Sequence, residues 1–236
     1  LLTRFEKVEA SAAPQVEILE DLGEVQNLWE KAGACERAGV SLVEGKQEVL
    51  GVGLAFEEQK AWYIPVSGFV TEEYLLGMVK NFFQKELLVG TPDIKSLRKK
   101  VDITCRKGIF DLTIAAYLLN PLKSEYSYDD VAKEYLGEQF PSREEIFGSG
   151  KHIDLSMEEQ EKVAQYGAYQ AYVSFAAQKP MTKALEEMGM RELFEEIEMP
   201  LAFTLDDMEK EGILVRAQEL KDYGEKLQIR IQELEE

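Results

Sequence analysis

The sequence predicts an α/β fold, a mixed sheet with helices on its faces, followed by a purely helical tail. Three features predict it. Between Ala38 and Val66, three runs rich in Val, Leu and aromatic residues follow one another across short polar links, which is the pattern of an antiparallel meander. From Thr71 the order becomes helix, strand, helix, strand, which calls for helices packed on the faces of a sheet. From Tyr128 onward only helical periodicity is found.

Residues 1–15 are mixed in character and end in SAAPQ, so they read as a linker or arm. EDLGEVQNLWEKA (20–32) places Val25, Leu28, Trp29 and Ala32 on one face and reads as an amphipathic helix. AGVSLVEG, EVLGVGLAFEE and KAWYIPV are the three strands, the first two joined through the tight EGKQ turn. TEEYLLGMVKNFFQK (71–85) gathers Tyr74, Leu75, Met78, Val79, Phe82 and Phe83 on one face, with Thr71 as N-cap. ELLVG is a short buried strand, PDIKSLRKKV a short helix and GIF a last strand. Asp111 then opens the helix LTIAAYLLN, which Pro121 closes. Further helices are expected over 128–136, 157–178, 181–188, 191–211 and 216 to the end. Pro200 should kink the fourth of these, and Gly212 should stop it.

The composition, 45% hydrophobic and 31% charged, is that of a globular protein. No stretch approaches the roughly 18 apolar residues of a membrane span, and no secretory signal is visible, so no membrane partner is expected. LLTRFEK and IQELEE both read as cut ends, so a piece of a longer protein is expected. Cys35 and Cys105 have no metal-ligand spacing and read as two thiols in a reducing cytoplasm. His152 is the only histidine and falls in a polar loop, which sets aside His-based metal sites and Ser/Cys–His catalysis. A formal charge of −18 repels phosphate backbones, so the chain by itself should bind DNA weakly.

IFDLTIAAYLLNP, YSYDDVAKEYLGEQFPS and LFEEIEMPLAFTLDDMEKEGILV, in that order, resemble bacterial DNA polymerase I, the A family of DNA polymerases. GVGLAFEEQKAWYIPV resembles the second and third strands of that family's exonuclease-like domain, and the likeness runs over about residues 15–236. The resemblance implies a ribonuclease H-like, 3′–5′ exonuclease-like domain over 16–190. Residues 191–236 would then be the first thumb helices of a truncated polymerase domain. It implies a role in DNA replication and repair, with Mg²⁺ serving the polymerase of the longer chain and no cofactor in this part. It also implies a bacterial, cytoplasmic protein that reaches the nucleoid through the longer chain.

Exonucleases of this kind hydrolyse a phosphodiester with two cations about 3.5–4 Å apart, held mainly by carboxylates. The resemblance carries their Asp-x-Glu onto Ser41 and Val43, a later Asp onto Leu97, and Tyr-x-x-x-Asp onto Tyr166 and Gln170. Only the tyrosine is retained. A further acid often found two residues on falls at Tyr172. The acid-free stretch Lys162 to Leu185 then reads as a helix lining a lost metal site, or simply as one packed on the sheet. Weaker candidate ligands are Glu44, Asp93 and Asp111, each with a plainer reading as turn surface or helix start. Lys95, Arg98, Lys99 and Lys100 form a dense basic turn that could touch a phosphate or be a solvated face.

Three functions follow: a non-catalytic domain that supports the polymerase domain of its own chain, an exonuclease using displaced carboxylates, or a plain interaction module. Leu220, Tyr223, Leu227, Ile231 and Leu234 recur at three- and four-residue steps in the last helix, a seam suited to a partner helix or to self-association.

Overall fold

The computed structural model describes residues 13–150 and 153–235. Most of the expected linker, and His152, lie outside the described residues. Clustering of contacts gives two units, one ending at Phe203 and one running from Thr204 to Glu236.

The first unit is built on a six-stranded sheet of order β1-β4-β3-β2-β5-β6. The expected meander is present as β2 (Arg37–Glu44), β3 (Val49–Glu57) and β4 (Lys60–Pro65), paired antiparallel. β5 (Leu88–Thr91) and β6 (Ile109–Asp111) extend it in parallel beyond β2. The other edge strand, β1 (Gln15–Ile18), runs parallel to β4 where the sequence reading has only a linker. Four residues with one partly buried side chain carry no alternation to read. Consecutive residues of β2 and β3 are buried, so both faces of the sheet are covered.

Helices α1 (Leu22–Gly33) and α2 (Glu72–Phe82) pack on each other, with Trp29 edge-on to Phe82 at 5.0 Å, and α2 lies against β3. α3 (Ile94–Arg98) and α4 (Leu112–Leu119) follow β5 and β6. α5 (Tyr128–Val131) continues as a wide turn to Leu136, and α6 (Arg143–Phe147) starts from Ser142 in a reciprocal capping box with Glu145. α7 (Gln160–Ala176) lies across the sheet, and α8 (Gln178–Glu187) follows it. Pro200 stands second in α9 (Met199–Glu211), directly after a wide turn over Leu193–Glu198. Proline donates no backbone hydrogen bond, and the widened turn absorbs the break. Gly212, with φ +74°, ends α9 by donating to Met208 O at 3.0 Å. α10 (Ala217–Glu235) buries no side chain, and its five seam residues are all exposed.

α7 approaches the sheet at the level of backbone against backbone. Gly39, Gly53 and Gly90, on three strands, face it. A methyl group at any of them would overlap a carbonyl oxygen of α7: Ala171, Gly167 and Ser174 respectively. The buried Gln178 side chain fastens the same contact by donating to Ala38 O at 2.8 Å and Ser174 O at 2.9 Å. Ten of the 17 residues of α7 are buried, because the 126–147 segment covers its other side through Tyr128, Phe140 and Phe147.

Asp111 joins β6, α3 and α4. Its carboxylate accepts from Ile94 N at 2.6 Å and from Ile114 N at 2.9 Å. Complete burial nonetheless pushes its pKa up to about 7, against the pull of those donors.

Two tests follow. Gly90→Ala should cost about 2 kcal/mol or more, since the α7 backbone would have to move. Gly77→Ala, in α2 with open space at its Cβ, should gain about 0.5–1 kcal/mol. Equal effects in denaturant titrations would contradict the close approach. The folded state keeps the Asp111 proton to higher pH than the unfolded chain. Its stability contribution is therefore full below about pH 4 and is lost as pH climbs through about 7. The stability of the natural chain relative to Asp111→Asn should fall across that window by up to about 1.4 kcal/mol per pH unit. A flat difference would mean the carboxyl is ionised throughout.

Candidate functional site

Of the positions that the resemblance assigns to metal ligands, Val43 and Gln170 line one cavity with Tyr166, while Ser41 and Leu97 are buried outside it. Ser41 is fully buried on β2, and its hydroxyl donates to Gly167 O of α7 at 2.7 Å. Val43, two residues on and therefore on the same face, packs against Gly167. Leu97 is a core residue of α3, 3% exposed. Tyr166 and Gln170 reach the surface side of α7 and line two neighbouring cavities. One, of about 290 Å³, is closed below by Val43 and flanked by Glu44 and Lys46. The other, of about 440 Å³, lies between Tyr126, Tyr128 and Asp129 on one side and Arg143 and Glu144 on another.

Arg143 is common to both cavities and hydrogen-bonds the Tyr166 hydroxyl. Burial raises the Tyr166 pKa, and the guanidinium and the Gln170 amide pull it back down. The Tyr166 ring is held edge-on by Tyr128 at 5.7 Å and Phe147 at 5.4 Å. Tyr172 points elsewhere, packing on Phe140 at 6.0 Å, and burial raises its pKa.

The weaker candidate ligands are committed separately. Asp93 caps α3, accepting from Lys95 N at 2.9 Å, Ser96 N at 3.1 Å and the Ser96 hydroxyl at 2.7 Å. Asp111 caps α4 and is fully buried. Glu44 faces Lys100 at 3.8 Å, where β2 bulges. Among the described residues, no three His, Cys, Asp or Glu side chains converge as a metal-binding group. A serine hydroxyl bonded to a carbonyl, a valine, a leucine and an amide do not fit the needs of a hard divalent cation.

The basic turn also differs from a phosphate-contact reading at one position. Arg98 is turned inward, donating to Ile103 O at 3.2 Å and Phe203 O at 3.1 Å, with its guanidinium 4.5 Å over the Phe203 ring. Lys99 is exposed, while Lys95 and Lys100 are half-buried. Sequence reasoning missed Arg143, although Ser142-x-x-Glu145 is a capping-box spacing that would have located α6. It also missed Gln178, for which no local signal exists.

The family profile described as "DNA polymerase I, ribonuclease H-like domain" matches residues 45–175. DNA polymerase I of Bacillus subtilis is 29% identical over 191 residues, covering 81% of this chain and 21% of that protein. The Geobacillus stearothermophilus DNA polymerase I is 26% identical over 187 residues, covering 79% and 21%. The chain therefore spans about a fifth of the length of the curated relatives it matches. Among solved structures, the POL domain of Pol1 from M. smegmatis, in complex with DNA primer-template and dNTP, superposes with a TM-score of 0.66. It is 16% identical, covering 93% of this chain and 36% of that one. Brucella melitensis NrnC superposes with a TM-score of 0.57 at 12% identity, covering 85% and 93%. The sheet and its flanking helices thus have the ribonuclease H-like fold. With a profile match over more than half of its length, the chain belongs to the DNA polymerase I family, in its ribonuclease H-like, exonuclease-like domain.

Proposed function

We propose that this is a non-catalytic exonuclease-like domain of a DNA polymerase I, which supports the polymerase domain of its own longer chain in replication and repair. The observation that carries this reading is the Ser41 hydroxyl donating to Gly167 O. A carboxylate at that position would meet a carbonyl oxygen, out of water, with no donor or cation to offset its charge. Val43 and Leu97 are apolar and buried, and the positive charge at the cleft comes from Arg143 and Lys46. Magnesium and DNA belong, in this reading, to the polymerase of the longer chain, in the bacterial cytoplasm. The exposed seam of α10 takes a helix of that polymerase domain, or a second copy when the chain is alone.

Incubation of the chain with single-stranded DNA and Mg²⁺ or Mn²⁺ should release no nucleotide above a metal-free control. Metal-dependent release that disappears in Asp93→Asn would establish displaced ligands instead. Ser41→Asp should destabilise by about 2–4 kcal/mol without conferring Mn²⁺ binding. A stable variant that binds Mn²⁺ would remove the basis of the reading.

The seam has its own test. Sedimentation at rising concentration should show self-association that Leu227→Glu with Ile231→Glu abolishes. A natural chain that stays monomeric at about 100 μM, far above a micromolar dissociation constant, would count against the seam.

A further inference from the structure

We propose that the 290 Å³ cavity beside Tyr166 takes a phosphate group directly on protein donors, with the Arg143 guanidinium in the electrostatic place of the metal ions that the family implies. Val43 and Gln170, at two of the assigned ligand positions, line this cavity and carry no charge. Its cations are Arg143 and Lys46, and its one carboxylate is Glu44. Glu44 stands 3.8 Å from Lys100, and Lys46 stands 3.7 Å from Asp154, so each of those charges is offset by a neighbour. Arg143 differs: among the described residues no carboxylate lies within ion-pair distance of it. Its guanidinium instead hydrogen-bonds the Tyr166 hydroxyl, and so does the Gln170 amide. With both lone pairs of that hydroxyl facing donors, its own proton is left to give, and among the described residues it goes to no acceptor. A guanidinium fork and a polarised hydroxyl are donors suited to phosphate oxygens. Val43, Ile153 and Leu155 form apolar wall, which strengthens the pull of the guanidinium.

The alternatives fit less well. A divalent cation would meet two protein cations and a single carboxylate, and no metal-binding group converges among the described residues. The larger neighbouring cavity shares Arg143, Tyr166 and Gln170 but adds Glu125, Asp129 and Glu144, so an anion is held on the Lys46 side. A chain of charge −18 repels anions at long range, so saturable binding of one requires donors at short range. The inference deepens the non-catalytic reading and rests on it in one respect, that no metal ion takes this place.

Titration with inorganic phosphate at fixed ionic strength and without divalent metal, followed by calorimetry and by phosphorus NMR, tests the site. Saturable one-to-one binding is expected, weaker by about tenfold or more in Arg143→Ala and by about threefold or more in Tyr166→Phe. Tyr166→Phe keeps the ring and its contacts with Tyr128 and Phe147, so it keeps the test sound even if Arg143→Ala perturbs folding. Lys183→Ala, which removes an exposed cation of α8 outside the cavity, should leave binding unchanged. Deoxyadenosine monophosphate should bind too and lose the same factor in Arg143→Ala; its affinity relative to inorganic phosphate tells a nucleoside-borne phosphate from a free one. Binding that is not saturable, that survives Arg143→Ala, or that falls equally in Lys183→Ala would each overturn the proposal. Any of these would leave the nuclease assay, and with it the non-catalytic reading, untouched, whereas metal-dependent nucleotide release would overturn both.

Discussion

The approach of the α7 backbone to the sheet decides what else this domain can contain. A helix normally stands off a sheet by the length of its side chains. Here glycines on three strands remove that spacing where α7 crosses, so its carbonyl oxygens replace side chains as the nearest neighbours of β2, β3 and β5. Everything on that face of β2 must then be small, apolar or a hydrogen-bond donor. Ser41 meets the last condition and Val43 the second. The residue types at these two positions are those that the helix above them demands.

The same contact explains the missing acids of α7. Lys162 to Leu185 contains no Asp or Glu. Most of α7 is buried between the sheet on one side and the 126–147 segment on the other, and its buried positions exclude charge. Tyr166 and Gln170, at the positions of the family's tyrosine motif, line both cavities, and there they meet Arg143. A guanidinium is a permanent, hydrogen-bonded cation. Lys46 stands with it at the smaller cavity, where Glu44 faces Lys100.

How much of this was legible in the sequence depends on how local each determinant is. The meander, α1, α2 and the Asp111 and Gly212 boundaries were readable because periodicity and capping are written within a few residues. β1 was not, because four residues on a sheet edge gain their conformation from β4, more than 40 positions away. α6 was announced by its capping box, yet it is a five-residue helix without a buried face, so no hydrophobic period pointed to it. At the site, the four substituted ligand positions were legible by resemblance. What the structure adds is the partner of one of them: the oxygen that Ser41 meets belongs to a backbone 126 residues away. The inward turn of Arg98 was hidden for the same reason, since its partner is the carbonyl of Phe203.

That last contact also bears on where the domain stops. The resemblance implies a boundary near residue 190, where the chain leaves α8 through Gly189. The packing carries on further. Phe194 meets Phe110 at 5.1 Å, Met199 and Ala202 are buried, and Phe203 takes both a hydrogen bond and a cation–π contact from Arg98. The first compact unit accordingly ends at Phe203, inside α9, although the helix itself runs on to Glu211. A boundary within a continuous helix leaves no Pro, Gly or polar run to mark it. Arg98, buried and held by two hydrogen bonds and a ring contact, fastens the last residue of that unit, Phe203, to α3.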